Sequence, residues 1–193
     1  MRGARAAGTA AALTAALTGG TAYFMAHSPS SRDAAEPVPG VAVRVSEVLD
    51  GDTLRVQTLT GEDLGRVRLL GIDAPEVAHG SEPADCYAQA ATDHLLSLAP
   101  VSTTVTMTAD PRQPDTDRYG RLLRYVDHQV DQQVDHQVDD VGLVDVAEEL
   151  LEAGEAELYQ GTPDLDRSGH YLGATRRAKH AQAGLWGDDC ARG

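Results

Sequence analysis

Apolar and polar residues alternate through VAVRVSEVLDGDTLRVQTL, with Val41, Val43 and Val45 on one side of Asp50-Gly51 and Leu54 and Val56 on the other. A period of two on both sides of an Asp-Gly turn dipeptide predicts a hairpin. Gly61-Glu62-Asp63 marks a second turn, and Arg66 to Ile72 reads as a third strand of one antiparallel meander. After Pro75 the period becomes helical. Cys86, Ala90, Ala91, His94, Leu95 and Leu98 recur on one face, which predicts a helix from Pro83 to Leu98, ending before Pro100. The β-branched run VSTTVTMTA and the later LLRYV predict two more strands, separated by the polar, proline-bearing loop DPRQPDTDRYGR. Val144 to Leu151 is amphipathic and stops at Gly154, and Leu165 to Ala183 forms the last predicted helix, closed by Gly184-Leu185-Trp186. The order βββ-α-ββ-α-α predicts an α+β domain, a small five-stranded barrel with three helices packed on it.

One segment interrupts that order. Asp127 to Val138 reads DHQV-DQQV-DHQV, three copies of a four-residue unit, followed by DDV. The period is too short for a solenoid repeat. His128 and His136 among the aspartates invite a metal-binding reading. The plainer reading is a low-complexity expansion of a hairpin loop, polar and solvent-exposed, where added length costs little.

At 193 residues the chain suits one domain with trimmings. Aromatics make up 4% of it, so the core must be built mainly from Val, Leu, Ile and Ala. The first residues stand apart. Arg2 and Arg5 precede an uncharged, Ala/Thr-rich run from Ala6 to Ala26, the arrangement of an export signal, with Gly20-Thr21-Ala22 as the cleavage site. Left uncut, residues 6–26 are long enough to tether the chain to a membrane. Either way residues 1–26 send the domain outside the cytoplasm. Residues 27–40 are rich in Ser, Pro and Ala and read as a linker, leaving 41–193 as the folded domain. In an exported protein the two cysteines, Cys86 and Cys190, read as one disulfide tying the C-terminal tail to an early loop or helix. Two unpaired thiols are the alternative. There is no CxxC or Cys/His cluster of the kind that binds zinc.

Three clusters carry charge at strand ends: Asp50-Gly51-Asp52-Thr53, Arg68 with Asp73-Ala74-Pro75-Glu76, and Asp117-Arg118-Tyr119-Gly120-Arg121. Each alone has a bland reading, as a turn or a structural ion pair. Together, VLDGDTLRV, RVRLLGIDAPE and DTDRYGRLLRYV closely resemble, in order and spacing, the staphylococcal-nuclease-like family of thermonucleases. The trailing LLEAGEAELY and AKHAQAGLW resemble its later helices, so the likeness runs from Val41 to Trp186.

That resemblance implies an oligonucleotide-binding (OB-fold) barrel that hydrolyses DNA and RNA with Ca²⁺, breaking the bond to the 5′ oxygen and leaving 3′-phosphate products. It implies Asp52 and Asp73 as metal carboxylates, with the backbone carbonyl of Ala74 as a further ligand. Glu76 corresponds to the carboxylate that aligns and deprotonates the attacking water, and Arg68 and Arg121 to the phosphate clamps. Tyr119 is a candidate substrate contact or a rim aromatic; His79 reads as a surface histidine. No stable protein partner is implied, and a monomer is expected.

The chemistry agrees with the residue types. Ca²⁺ takes several oxygen ligands, which two aspartates, a carbonyl and waters supply. A guanidinium matches two phosphate oxygens with a fork that lysine lacks. On this basis the close cations and carboxylates are expected to surround a phosphate and a metal rather than simply to pair with one another.

The chain also departs from the family pattern. Ala74 stands where a threonine is common, Ala147 where an asparagine is typical, and the repeat lengthens a loop beyond the fifth strand. Two other classes are weighed: a non-catalytic barrel that holds nucleic acid, which the retention of Glu76 and both arginines speaks against, and a cell-envelope interaction module working through the repeats. Charge is the main objection to a nuclease. Removing residues 1–25 takes away Arg2 and Arg5 and no acid, leaving 14 basic against 30 acidic residues, a net charge near −16. Such a charge repels polyanions at long range.

Overall fold

Alternation along the first strand, β1 (Val41–Val48), puts Val43 and Val45 in the core with no exposed surface, while Arg44 between them and Ser46 after them keep partial contact with solvent. The same period fills the barrel from β2 (Thr53–Gln57) with Leu54 and Val56, and from β3 (Asp63–Leu69) with Val67 and Leu69. Next come the two-residue β4 (Ile72–Asp73), helix α1 (Ala88–Leu98), β5 (Thr104–Thr108), β6 (Leu122–Val130) and β7 (Gly142–Asp145). Helix α2 (Val146–Glu152), the short β8 (Glu157–Leu158) and helix α3 (Ser168–Ala181) complete the order, followed by a 3₁₀ turn at Gly184–Trp186. This computed structural model describes residues 39–130, 142–159, 161, 164–188 and 190. The leader, all but the end of the linker, and the repeat units from Asp131 to Val138 lie outside them. Among the described residues no helix is long and apolar enough to cross a membrane.

β1 pairs antiparallel with both β2 and β5, β2 with β3, and β5 with β6. A parallel pairing of β3 with β6, Val67 opposite Leu122, closes the five into a barrel. Closure removes the open edges that a five-stranded sheet would otherwise present. With three helices packed on it, this is the α+β OB-fold.

Because aromatics are few, small side chains let the elements approach closely. Ala88, Ala91 and Leu95 form the buried stripe of α1. Gly51 shows how tight this packing is: a Cβ there would lie 2.6 Å from the Cβ of Ala91 and 2.7 Å from that of Ala74. The Asp50–Asp52 turn, helix α1 and the Asp73-Ala74 segment therefore meet only because residue 51 has no side chain.

The structure corrects three boundaries. The third strand ends at Leu69 rather than Ile72, because Gly71 adopts φ +82° and turns the chain into β4, which pairs instead with β8. Helix α1 begins at Ala88 rather than Pro83. Tyr87 sits in the left-handed region at φ 67°, and the residues before it are held in a loop by reciprocal backbone bonds between His79 and Glu82. Finally, Asp127–Val130, expected in an exposed loop, form the end of β6 and pair with β7, Asp127 opposite Asp145. Asp127 is buried there because Arg167 binds both its oxygens, at 2.5 and 2.9 Å.

Arg167 also donates to Asp145 at 2.7 Å, Asp145 caps α2 by accepting from Ala147 and Glu148, and Tyr171 donates to Asp145 at 2.9 Å. Burial opposes the charge of Arg167, but its hydrogen bonds to Asp127 and Asp145 outweigh that and hold the guanidinium above its ordinary value. This polar cluster locks β6, β7, α2 and α3 together. Ala147, where the family typically has an asparagine, is buried and its N–H donates to Asp145.

Candidate active site

The charged motifs converge where three strands begin or end. Thr53 opens β2 opposite Arg68 near the end of β3, and Arg121 immediately precedes β6, whose Leu123 pairs with Arg68. Barrel closure thus brings together residues from across the chain.

Asp52 is buried at the floor. Its Oδ1 accepts from the Thr53 hydroxyl at 2.9 Å and its Oδ2 from the Ala74 N–H at 2.9 Å. Arg68 lies 3.0 Å from the same Oδ2 and donates to Asp73 Oδ1 at 2.6 Å and to the Ile72 carbonyl at 2.7 Å. Asp73, by contrast, is open to solvent. Arg68 therefore pairs directly with both proposed metal carboxylates, contrary to the expectation from sequence. The reason is positional: both carboxylates lie next to the strand end that carries it.

Arg121 is held differently. Its Nε donates to Asp117 Oδ2 at 2.7 Å, and Asp117 Oδ1 accepts the backbone N–H groups of Tyr119 and Arg121, both at 2.9 Å. Burial is the largest single influence on the Asp117 carboxyl and raises it, but the hydrogen bonds from Arg121 and Tyr119 together outweigh it and hold the group below its ordinary range. One terminal nitrogen of Arg121 reaches the Thr53 hydroxyl at 3.4 Å, which links it through Thr53 to Asp52. Asp117 is a positioning residue to which the sequence motif assigned no role. The signal was present, an Asp four residues before an Arg, with Gly120 at φ +75° turning the chain between them.

Arg68, Asp73, Glu76, Tyr119, Arg121 and Tyr159 line one cleft of about 610 Å³. The Glu76 side chain is exposed, and its carboxylate has no hydrogen-bond partner among the described residues. Its backbone is fixed, the N–H donating to Asp85 Oδ2 at 3.2 Å. Tyr119 lies at the rim, 59% exposed, with the guanidinium carbons of Arg118 and Arg121 at 4.7 and 5.5 Å from its ring centre. Tyr159 was not anticipated from the sequence; it lies across from these residues, its ring centre 6.0 Å from Arg68. Cys86 and Cys190 are joined in a disulfide. His79 is exposed, as a surface histidine should be.

The residues fit a hard divalent cation. Their donors are all oxygen, and burial pushes the Asp52 carboxyl up to about 7, with Arg68 pulling it down and Asp50 adding to the rise. Arg68 already supplies one positive charge to this carboxylate, and a hard cation beside it would add oxygen-seeking charge at the same floor. Among the described residues no three His, Cys, Asp or Glu side chains converge to hold a metal, so such an ion would rest on two carboxylates, the Ala74 carbonyl and water.

A closed barrel of this topology, with carboxylates and guanidiniums gathered in a cleft at its strand ends, is an OB-fold with a charged site on its rim. The chain belongs to the staphylococcal nuclease homologue family, whose model matches residues 66–188. That span contains Arg68, Asp73, Glu76, Tyr119 and Arg121 and begins after Asp52. The chain is 30% identical over 158 residues to the uncharacterized protein MJ1439 of Methanocaldococcus jannaschii, covering 74% of this chain and 70% of that protein. It is 34% identical over 108 residues to the thermonuclease of Staphylococcus intermedius (54% of this chain, 58% of that one). To the probable endonuclease LCL3 of Leptosphaeria maculans it is 31% identical over 123 residues, covering 62% of this chain and 37% of the relative. The chain thus spans less than two thirds of these last two relatives.

Proposed function

We propose that this chain is an exported, calcium-dependent nuclease that acts as a monomer and hydrolyses phosphodiester bonds of DNA and RNA, leaving 3′-phosphate products. The observation that carries the proposal is the single cleft holding Asp73, Glu76, Arg68 and Arg121 above the buried Asp52. The names thermonuclease and endonuclease carried by relatives support it.

In this reading Arg121, steadied at Nε by Asp117, uses its terminal nitrogens on two phosphoryl oxygens and stabilises charge that grows in the transition state. Glu76, exposed in the cleft, takes the proton of the attacking water. Arg68 holds Asp52 and Asp73 in register and adds positive charge beside the phosphate. Asp52, Asp73 and the Ala74 carbonyl would hold Ca²⁺, which when bound polarises a phosphoryl oxygen. The exposed ring of Tyr119 gives the chain beyond the scissile phosphate a surface to lie against. Export rests on the basic-then-apolar N-terminal pattern and on the disulfide, which belongs in an oxidising compartment.

The acidic surface sets a testable property. A net charge near −16 slows encounter with a polyanion, but screening confines that repulsion to about 8–10 Å at physiological salt. Added salt therefore weakens the repulsion while it weakens the arginine contacts. Digestion of single-stranded DNA and of RNA by the purified chain is expected to vary less than about threefold in kcat/KM between 50 and 200 mM NaCl. Proteins that make many phosphate contacts lose orders of magnitude over that range. A loss of a hundredfold or more would overturn this property, and products lacking a 3′-phosphate would overturn the proposed direction of cleavage.

A further inference from the structure

We propose that the Cys86–Cys190 disulfide and Asp85 are positioning elements for Glu76, so that reduction of this bond lowers turnover without lowering substrate affinity. The inference rests on the role given to Glu76 in the nuclease proposed above.

The loop from Glu76 to Asp85 closes on itself in two rungs. At its neck the Glu76 N–H donates to Asp85 Oδ2 at 3.2 Å and the Asp85 N–H donates to the Glu76 carbonyl at 2.9 Å. Further out, His79 and Glu82 exchange backbone bonds at 3.2 and 2.9 Å. Besides these rungs, the Ala88 N–H at the start of α1 donates to the Asp85 carbonyl at 3.2 Å and His79 Nδ1 lies 2.7 Å from the Val77 carbonyl, but residues 78–86 are all solvent-exposed, so no buried side chain of theirs pins the loop to the core. A loop without apolar burial opens at little cost unless it is cross-linked.

The cross-link is adjacent to the neck. Cys86 follows Asp85 directly and is bonded to Cys190 in the C-terminal tail. The tail is in turn fixed to the body of the domain, since Leu185 N–H donates to the Gly154 carbonyl at 2.7 Å just past α2. Glu76, Asp85, Cys86 and Leu185 line one groove of about 350 Å³, which shares Asp73 and Glu76 with the larger cleft. Glu76 is thereby held through Pro75 to Ala74 and β4 on one side and through Asp85, Cys86 and the tail on the other. A general base displaced by even an ångström from its water loses much of its effect. Reduction by a dithiol breaks the Sγ–Sγ bond and leaves thiols on Cys86 and Cys190. The dithiol gives up two electrons and two protons and closes its own disulfide.

The test uses the full chain, oxidised or treated with dithiothreitol, with Asp85→Ala and Asp85→Asn made in the oxidised chain. Reduction is expected to speed amide exchange at Glu76 and Asp85 at least tenfold while Val56 and Val67 in the barrel keep their protection. In parallel kcat for DNA falls about tenfold and KM stays within twofold. Asp85→Ala is expected to reproduce that split and Asp85→Asn, which keeps an acceptor oxygen, to restore most of kcat. Unchanged exchange at Glu76 on reduction overturns the proposal, as does an Asp85→Ala variant with wild-type kcat. Should the reduced chain lose protection throughout, the two Asp85 variants decide. An oxidised wild type that cleaves nothing in Ca²⁺ would sink the nuclease function, and exchange at Glu76 would still decide whether the tether exists.

Discussion

Replacing Glu76 by Gln is expected to lower kcat for DNA cleavage about 10²–10⁴-fold, the range that a general base supplies, with KM changed no more than a few-fold. The side chains are nearly isosteric, so the substitution removes a proton acceptor and little else. The Glu76 backbone bonds to Asp85 do not involve the altered atoms, so the loop should keep its position. The carboxylate has no partner among the described residues, hence no ion pair is broken and stability should be unaffected. Single-turnover rates for wild type and variant on one labelled oligonucleotide separate this from an effect on binding or product release. A variant within twofold of wild type would remove Glu76 from the chemistry, leaving the cleft as a binding surface.

The second large effect concerns stability. Arg167→Ala is expected to destabilise the domain by about 3–5 kcal/mol, because it strands Asp127 and Asp145, both nearly buried, without their common cation. For a chain of this size that corresponds to a fall in Tm on the order of 10 °C. Arg177 offers a control: its pairs with Glu148 and Glu152 are open to water, and Arg177→Ala should shift Tm far less. Calorimetry or denaturant unfolding of the two variants checks the contrast. At temperatures where Arg167→Ala remains folded, its cleavage rate should match wild type, since no member of the cluster lines the cleft. Equal Tm values for the two variants would mean that the Asp127 carboxylate is not buried against Arg167 and that β6 ends earlier.

That contrast also shows where the sequence was legible. The barrel strands were plain because their period of two persists wherever one face is buried, as in Val43/Val45 and Leu54/Val56. The candidate site residues are legible because strand ends carry them in short motifs whose spacing survives any loop length. The end of β6 was hidden. Asp127-His128-Gln129-Val130 has nearly the same composition as the units that follow it, and a buried aspartate reads as a loop until its partner, Arg167, is placed forty residues away. Helix α1 was overextended because Pro83 looks like a first helical residue, whereas the His79–Glu82 bridge and the left-handed Tyr87 are set by tertiary closure. The same holds at the site. The motifs named Arg68, but its grip on Asp52 and Asp73 depends on how β3 and β4 bend at Gly71, which no spacing reveals.

The most direct test is cleavage of a labelled single-stranded oligonucleotide by the oxidised chain as free Ca²⁺ is raised from an EGTA-buffered baseline. Cleavage that is absent in EGTA, rises with Ca²⁺ to saturation and is lost in Arg121→Ala is the expected result. The same rate in EGTA as in Ca²⁺, or no cleavage at any Ca²⁺ concentration by a folded, disulfide-bonded chain, would contradict it.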